Sequence, residues 1–273
     1  MTDEEKKLQH KKDLERIKEL RLIDDDFMTA VFRDNIRDAE MLLNTILGRC
    51  DLQVTKVTVQ HVLKNLNGRS VRLDIHAVDA AGKHYDVEIQ RSDKGAGVKR
   101  ARHNSALLDA SILRPGEDPE ILPETYVIFI AENDIFMKGE PLYPIDRYVE
   151  INGAVEKVDD GSHILYVNGQ YRGETPIGQL MHDFFCTKPD DMVNKNLSET
   201  VRFYKEDEKG VSVMCRAIEE MRNEVYEKAC LETKEKDILA LIESGEFSLE
   251  KIASLLKVSL DRVQELALSA KKA

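Results

Sequence analysis

With 273 residues, 42% of them hydrophobic, the chain can bury a substantial core, predicted as one principal domain with a helical appendage. No apolar run is long enough to span a bilayer and the Asp/Glu/Lys-rich N-terminus lacks a signal-peptide apolar region, so a cytoplasmic protein without a membrane partner is expected. A net charge of −11 excludes a protein that coats nucleic acid, because nonspecific affinity is largely phosphate neutralisation by Lys and Arg; any DNA contact must be local.

Residues 1–21 are Lys- and Glu-rich and read as a charged helix or tail that is dispensable for chemistry. Phe27, Ala30, Val31, Phe32, Ala39, Leu42, Leu43 and Ile46 recur at helical spacing up to Gly48, which predicts one helix laid over a sheet. Leu52 to Leu63 reads as a strand, and Asn67-Gly68 as a hairpin turn into a second. Further strands are predicted at Ser70–Ala77 and Tyr85–Gln90, then a helix over 98–113 that stops before Arg114-Pro115-Gly116, then a buried strand at Thr125–Ala131. The predicted order is αβββαβ.

Short strands follow over 145–175, among them His163–Val167, closed by Asn168-Gly169. Residues 176–230 read as helical, and Lys234 to Ala273 as helical again, with a turn at Ser244-Gly245 and a capping pattern at Ser248-Leu249-Glu250-Lys251. The predicted divisions are 1–21, 22–230 and 231–273. Ile252, Ala253, Leu256, Val258, Leu260, Val263 and Leu266 resemble the apolar skeleton of a helix-turn-helix whose second helix begins near Ser259. Asp261 and Glu265 stand where a DNA-reading helix wants Arg, Asn or Gln, so packing or self-association into a homo-oligomer is the expected role of this region.

Two of the strands carry the chemistry. Apolar residues at every second position of Ser70–Ala77 leave Asp74 on the polar face; the same alternation puts Glu88 and Gln90 on one face, about 7 Å apart along the strand. If Ala80-Ala81-Gly82 is a three-residue loop with Gly82 left-handed, Asp74 lies directly across from Glu88; a two-residue loop puts them on opposite faces. Two carboxylates so close repel unless a cation or proton sits between them, and hard oxygen ligands suit Mg²⁺ or Mn²⁺. The same residues also fit the solvated face of an antiparallel sheet.

The densest basic patch, Arg91, Lys94, Lys99, Arg100 and Arg102, follows at once, interleaved with Gly95 and Gly97, and a Gly-containing turn entering a helix can present N–H groups and guanidinium forks to phosphate. Cys50, Cys186, Cys215 and Cys230 lie far apart without a Cys-x-x-Cys, which points to reduced structural thiols rather than to a zinc site or disulfides.

Gly68-Arg69-Ser70-Val71-Arg72-Leu73-Asp74 followed by Val87-Glu88-Ile89-Gln90-Arg91 resembles the PD-(D/E)XK nuclease family transposases, relatives of the recombination-promoting nucleases. Asp24-Asp25-Asp26-Phe27-Met28, Lys99-Arg100-Ala101-Arg102, Pro115-Gly116-Glu117-Asp118, Leu122–Ile130, Asp160–His163 and Met181-His182-Asp183-Phe184 extend the likeness over roughly residues 20 to 225. The resemblance implies an α/β fold with a restriction-endonuclease-like αβββαβ core, a mixed central sheet and a helical C-terminal extension. It also implies a Mg²⁺- or Mn²⁺-dependent DNA endonuclease linked to recombination or transposition. Asp74, Glu88 and the Ile89 carbonyl would hold the metal, Gln90 would orient the attacking water, and Asp24 matches the spacing of an additional acid, with Asp26 its close competitor. Arg100 would contact phosphate, together with Arg91, Lys99 and Arg102 of the basic patch. There are three departures from the pattern: Met28 and Gln90 each stand where a lysine is common, and His103-Asn104 replace an aromatic pair.

Overall fold

The computed structural model describes residues 3–63, 70–91 and 95–270. Its first helices are α1 (Asp3–Glu19), α2 (Asp25–Phe32) and α3 (Ile36–Leu47), followed by strands β1 (Val54–Leu63), β2 (Val71–Asp79) and β3 (His84–Gln90). Helix α4 (Val98–Ile112) leads to β4 (Thr125–Ala131), β5 (Leu142–Ile145), β6 (Arg147–Ile151), β7 (Ala154–Val158) and β8 (Ser162–Asn168). Helices α5 (Pro176–Phe185), α6 (Lys195–Glu206), α7 (Glu208–Ser244), α8 (Leu249–Leu256) and α9 (Leu260–Ala270) complete the chain. The Asn67-Gly68 turn, Arg69 and Lys94 lie outside the described residues.

The fold is α/β, built on a six-stranded mixed sheet in the order β1-β2-β3-β4-β8-β5, with β6 and β7 paired apart from it. Strands β1, β2 and β3 run antiparallel, as hairpin-length connections require, whereas β3/β4 and β4/β8 are parallel. A parallel neighbour needs a crossover, which α4 supplies between β3 and β4. Val127, Ile128, Phe129 and Ile130 of β4 are all fully buried, as expected of a strand covered on both faces.

The helix predicted through Phe27–Ile46 is two helices. Asp34 adopts φ +55° and the Asn35 side chain accepts from Asp38 N, restarting the chain as α3. Because the break at 33–35 takes nearly one turn, the apolar spacing runs through it undisturbed: Phe27, Val31 and Phe32 are buried before it, and Ala39, Leu42, Leu43 and Ile46 after it. Gly48 ends α3 at φ +63°, the left-handed cap its position foretold.

At the N-terminus, Ile17 and Leu20 are buried, and the buried Lys205 ammonium donates to the carbonyls of Lys18, Leu20 and Thr187. The chain divides into two compact units, residues up to Cys215 and residues from Arg216. The predicted division lies at 230/231, and α7 runs through both places as one 37-residue helix, so no linker marks either. In the second unit Ile238, Ile252, Ala253 and Val263 form a small core, packed by Leu256, Val258, Leu260 and Leu266. Gly245 turns the chain at φ +67° and Ser248 caps α8 by accepting from Lys251 N. Among the described residues no helix is long and apolar enough to cross a membrane.

Candidate metal centre

The turn between β2 and β3 decides which carboxylates meet. Gly82 takes φ +79°, Gly82 N donates to Asp79 O at 3.1 Å, and Asp79 N donates to Lys83 O at 3.1 Å, so the loop has three residues. Asp79 holds it closed, with Oδ1 accepting from Ala81 N and Lys83 N and Oδ2 accepting from the Tyr85 hydroxyl. The resulting register pairs Val78 with His84, Ala77 with Tyr85, His76 with Asp86 and Ile75 with Val87. One step on, side chains take over the pairing: Ile89 N donates to Asp74 Oδ2 at 2.9 Å and Asp74 N to Glu88 Oε1 at 3.3 Å.

The polar face of this hairpin is not open to water. Crossing from β3 to β4, α4 lies over it and buries Ala101, Asn104 and Leu108, and Glu88 and Asp86 are completely buried with them. Asp86 is the site residue that the sequence reading passed over, although Asp86-Val87-Glu88 already places both acids on one face. Its Oδ2 accepts from Asn104 Nδ2 at 3.4 Å and its Oδ1 has no hydrogen-bond partner among the described residues. Burial, then the charges of Glu88 and Asp74, push Asp86 well above the usual carboxylate range. Burial also raises Glu88, against the lowering pull of Arg100. Asp74 rises to about 7, through burial first and the Glu88 charge second, with the Ile89 N–H opposing.

Of the three consecutive acids that open α2, Asp25 faces this centre. It lines the same cavity as Asp74, and its charge contributes to the raised Asp74 pKa. Asp24, the predicted ligand, is engaged elsewhere: its Oδ2 accepts from Arg21 N at 2.8 Å, and its Oδ1 lies 2.9 Å from Arg91 Nη1. Asp26 pairs with Arg16 at 3.6 Å. Asp25 is oriented by Gln60, whose Nε2 donates to Asp25 Oδ1 at 3.3 Å and to Thr29 Oγ1 at 3.1 Å. Gln60 sits in mid-strand at φ +54°, between the pairs Val59–Ile75 and His61–Leu73, and therefore opposite Asp74; its buried Oε1 has no partner among the described residues. Nothing in the sequence marks a glutamine for that conformation.

The cavity, of about 830 Å³, is rimmed by Arg72, Arg91, Lys99 and Arg100, with Ile89, Gln90, His103 and Asn104 also in its wall. Arg100 reaches inward, placing Nη2 2.8 Å from Glu88 Oε2 and Nη1 3.3 Å from Gln90 Oε1. A Cβ at Gly95 would lie 1.9 Å from Gln90 Oε1, so a larger residue there would make the Gln90 amide shift. Arg91 bridges Asp24 and Glu132, whereas Arg72 and Lys99 form no ion pair among the described residues. Arg102 faces a neighbouring groove with Val98, Ile145 and Arg147 instead. Comparison of the chain with protein-family models, curated proteins and solved structures gives no match.

Proposed function

We propose that this chain is a divalent-metal-dependent DNA endonuclease, a phosphodiester hydrolase linked to recombination or transposition. The observation that carries the reading is the meeting of Asp74, in the wall of a cavity rimmed by four cations, with the completely buried Glu88 behind it, in a protein of net charge −11. Clustered buried carboxyls require a proton or a cation, and the orphaned Asp86 Oδ1 and the raised Asp74 pKa both register that need. The donors are hard oxygens, which fit Mg²⁺ or Mn²⁺. Asp74 and Glu88 would hold the ion with the Ile89 carbonyl, with Asp25 in the wall of the same cavity; bound there, it would polarise a phosphoryl oxygen and acidify a water.

The chain's own side chains supply the rest. Arg72 and Lys99, without an ion pair among the described residues, are placed to take phosphate oxygens at the mouth of the cavity, and Arg100 can turn from Glu88 to a phosphate once the acids have another counter-charge. Gln90, with one donor and one acceptor, positions but does not neutralise. The resemblance of residues 20 to 225 to PD-(D/E)XK transposases adds the substrate class. Incubation of the purified chain with plasmid DNA and Mg²⁺ or Mn²⁺ tests the reading: cleavage is expected in wild type and not in Glu88→Gln.

The Arg100–Glu88 pair favours a second reading, in which the same frame binds nucleic acid without cutting it. A guanidinium that stays on Glu88 neutralises that acid permanently. Calorimetric titration of Mg²⁺ into wild type and Glu88→Ala separates the two, since only the hydrolase requires binding that depends on Glu88.

A further inference from the structure

The last turn of α5 brings together three side chains that the reading above does not use. His182 Nδ1 lies 3.1 Å from Asp183 Oδ1 and 3.6 Å from Cys186 Sγ, and all three ligand atoms fall within 4.8 Å of one another. The helix sets this up: residues four apart share a face, so His182 and Cys186 stack at its C-terminal end, where Cys186 is the cap residue. Asp183 is completely buried and is fixed from the other side, with Oδ1 accepting from Val193 N at 2.8 Å and Oδ2 from Asn194 N at 2.7 Å.

Donor type says what would fit. A tetrahedral centre with metal–nitrogen and metal–oxygen bonds of about 2.0 Å and a metal–sulfur bond of about 2.3 Å has N···O and N···S edges of roughly 3.3 and 3.5 Å. The N···O edge here is 3.1 Å and the N···S edge 3.6 Å, but Sγ also lies 3.9 Å from Nε2, over the ring rather than along the Nδ1 lone pair, so the half-exposed imidazole must turn about its Cβ–Cγ bond to ligate. An imidazole, a thiol and a carboxylate form a mixed, borderline-soft set, which suits zinc and not the hard cation of the carboxylate centre. The cations nearby are already engaged: Arg172 donates to the carbonyls of Gly169 and Tyr171, and Lys205 to those of Thr187, Lys18 and Leu20.

We propose that His182 Nδ1, Asp183 Oδ1 and Cys186 Sγ bind one zinc-class divalent cation that pins the end of α5 to the turn leading into α6. On binding, the single proton of the neutral imidazole would sit on Nε2 of the half-exposed ring, leaving Nδ1 to ligate, and the thiol proton would be released to solvent. The backbone N–H groups of Val193 and Asn194 hold the ligating carboxylate in place. The fourth position is open to water or to the Asp191 carbonyl, which already lies 3.7 Å from Cys186 Sγ.

Co²⁺ titrated into the purified full-length chain reports on thiolate ligation through a sulfur-to-cobalt charge-transfer absorption. One equivalent should saturate the band and Zn²⁺ should displace it. Cys186→Ser should abolish it, and His182→Ala, a change at a partly exposed position, should weaken cobalt binding at least tenfold with metal-free unfolding unchanged. Glu88→Ala and Cys215→Ser should leave it intact, which separates this site from the carboxylate centre and from the other thiol near a histidine, Cys215 beside His10. No thiolate band in wild type, or a band of full strength in Cys186→Ser or His182→Ala, would overturn the proposal.

Discussion

Arg100 Nη2 lies 2.8 Å from Glu88 Oε2, so a rim cation serves as counter-charge to a completely buried carboxylate where the proposed metal would otherwise act. Removing one partner of a fully buried ion pair costs about 3–5 kcal/mol; because the Arg100 side chain is 42% exposed, solvent screens the pair and about 1–2 kcal/mol is expected here.

Arg100→Ala should therefore lower the melting temperature of the metal-free protein by several degrees and enlarge the stabilisation produced by Mg²⁺, while reducing cleavage through loss of a phosphate contact. Thermal unfolding with and without Mg²⁺ checks this. An Mg²⁺-induced shift equal to that of wild type would mean that Arg100 and the cation do not compete.

The raised carboxyls predict an inverted pH dependence. A carboxyl whose pKa is higher in the folded state keeps a proton that the unfolded chain has lost; its contribution is present below the unfolded value and is lost as pH rises through the folded one. For Asp74 that window runs from 3.8 to about 7, and Asp86 and Glu88 act in the same direction. The metal-free protein should lose stability across this range, on the order of 2–4 kcal/mol from Asp74. Urea unfolding at pH 5 and pH 7.5 should show a smaller loss in Asp74→Asn than in wild type, and equal losses would contradict the assignment.

Gln60 offers a test of the third acid. A non-glycine residue in the left-handed region costs roughly 1–2 kcal/mol, and an unpartnered buried oxygen about as much again, so Gln60→Gly removes two unfavourable features along with its bonds to Asp25 and Thr29. The variant should be as stable as wild type or more so, yet bind Mg²⁺ several-fold more weakly because Asp25 is no longer held toward Asp74. Calorimetry showing unchanged affinity would separate Gln60 from the metal centre.

How much of this was legible depends on the range of the interaction. The sequence offered the Ala80-Ala81-Gly82 loop as one of two alternatives, and Gly82 at φ +79° decides for it, after which Asp74 follows by counting; β4 could be read from an unbroken apolar run. The break at Asp34-Asn35 was hidden because it preserves the helical phase. The choice among Asp24, Asp25 and Asp26 was invisible for a different reason: Arg91 takes Asp24 and Gln60 takes Asp25, partners remote in sequence that only the folded sheet brings near. Burial of Asp86 and Glu88 depends in the same way on α4 crossing their face.

Gln90 stands where a lysine would supply charge to the developing phosphorane, and an amide supplies only positioning. Gln90→Ala should lower the cleavage rate about a hundred- to a thousandfold with metal affinity nearly unchanged. Lys99, exposed in the same cavity, is placed to supply the missing charge, so Lys99→Ala should do more damage in the Gln90 background than in Gln90→Lys. A double-mutant cycle with strictly additive effects would remove Lys99 from that role.

The central claim, that Asp74 and Glu88 form a metal-dependent hydrolytic centre, is tested most directly by plasmid cleavage with purified wild type, Asp74→Asn and Glu88→Gln, each with Mg²⁺, with Mn²⁺ and with EDTA. The account predicts cleavage by wild type in either metal, none in EDTA, and none by either variant although both remain folded. Cleavage by Glu88→Gln at the wild-type rate, or none by wild type in either metal, would contradict it.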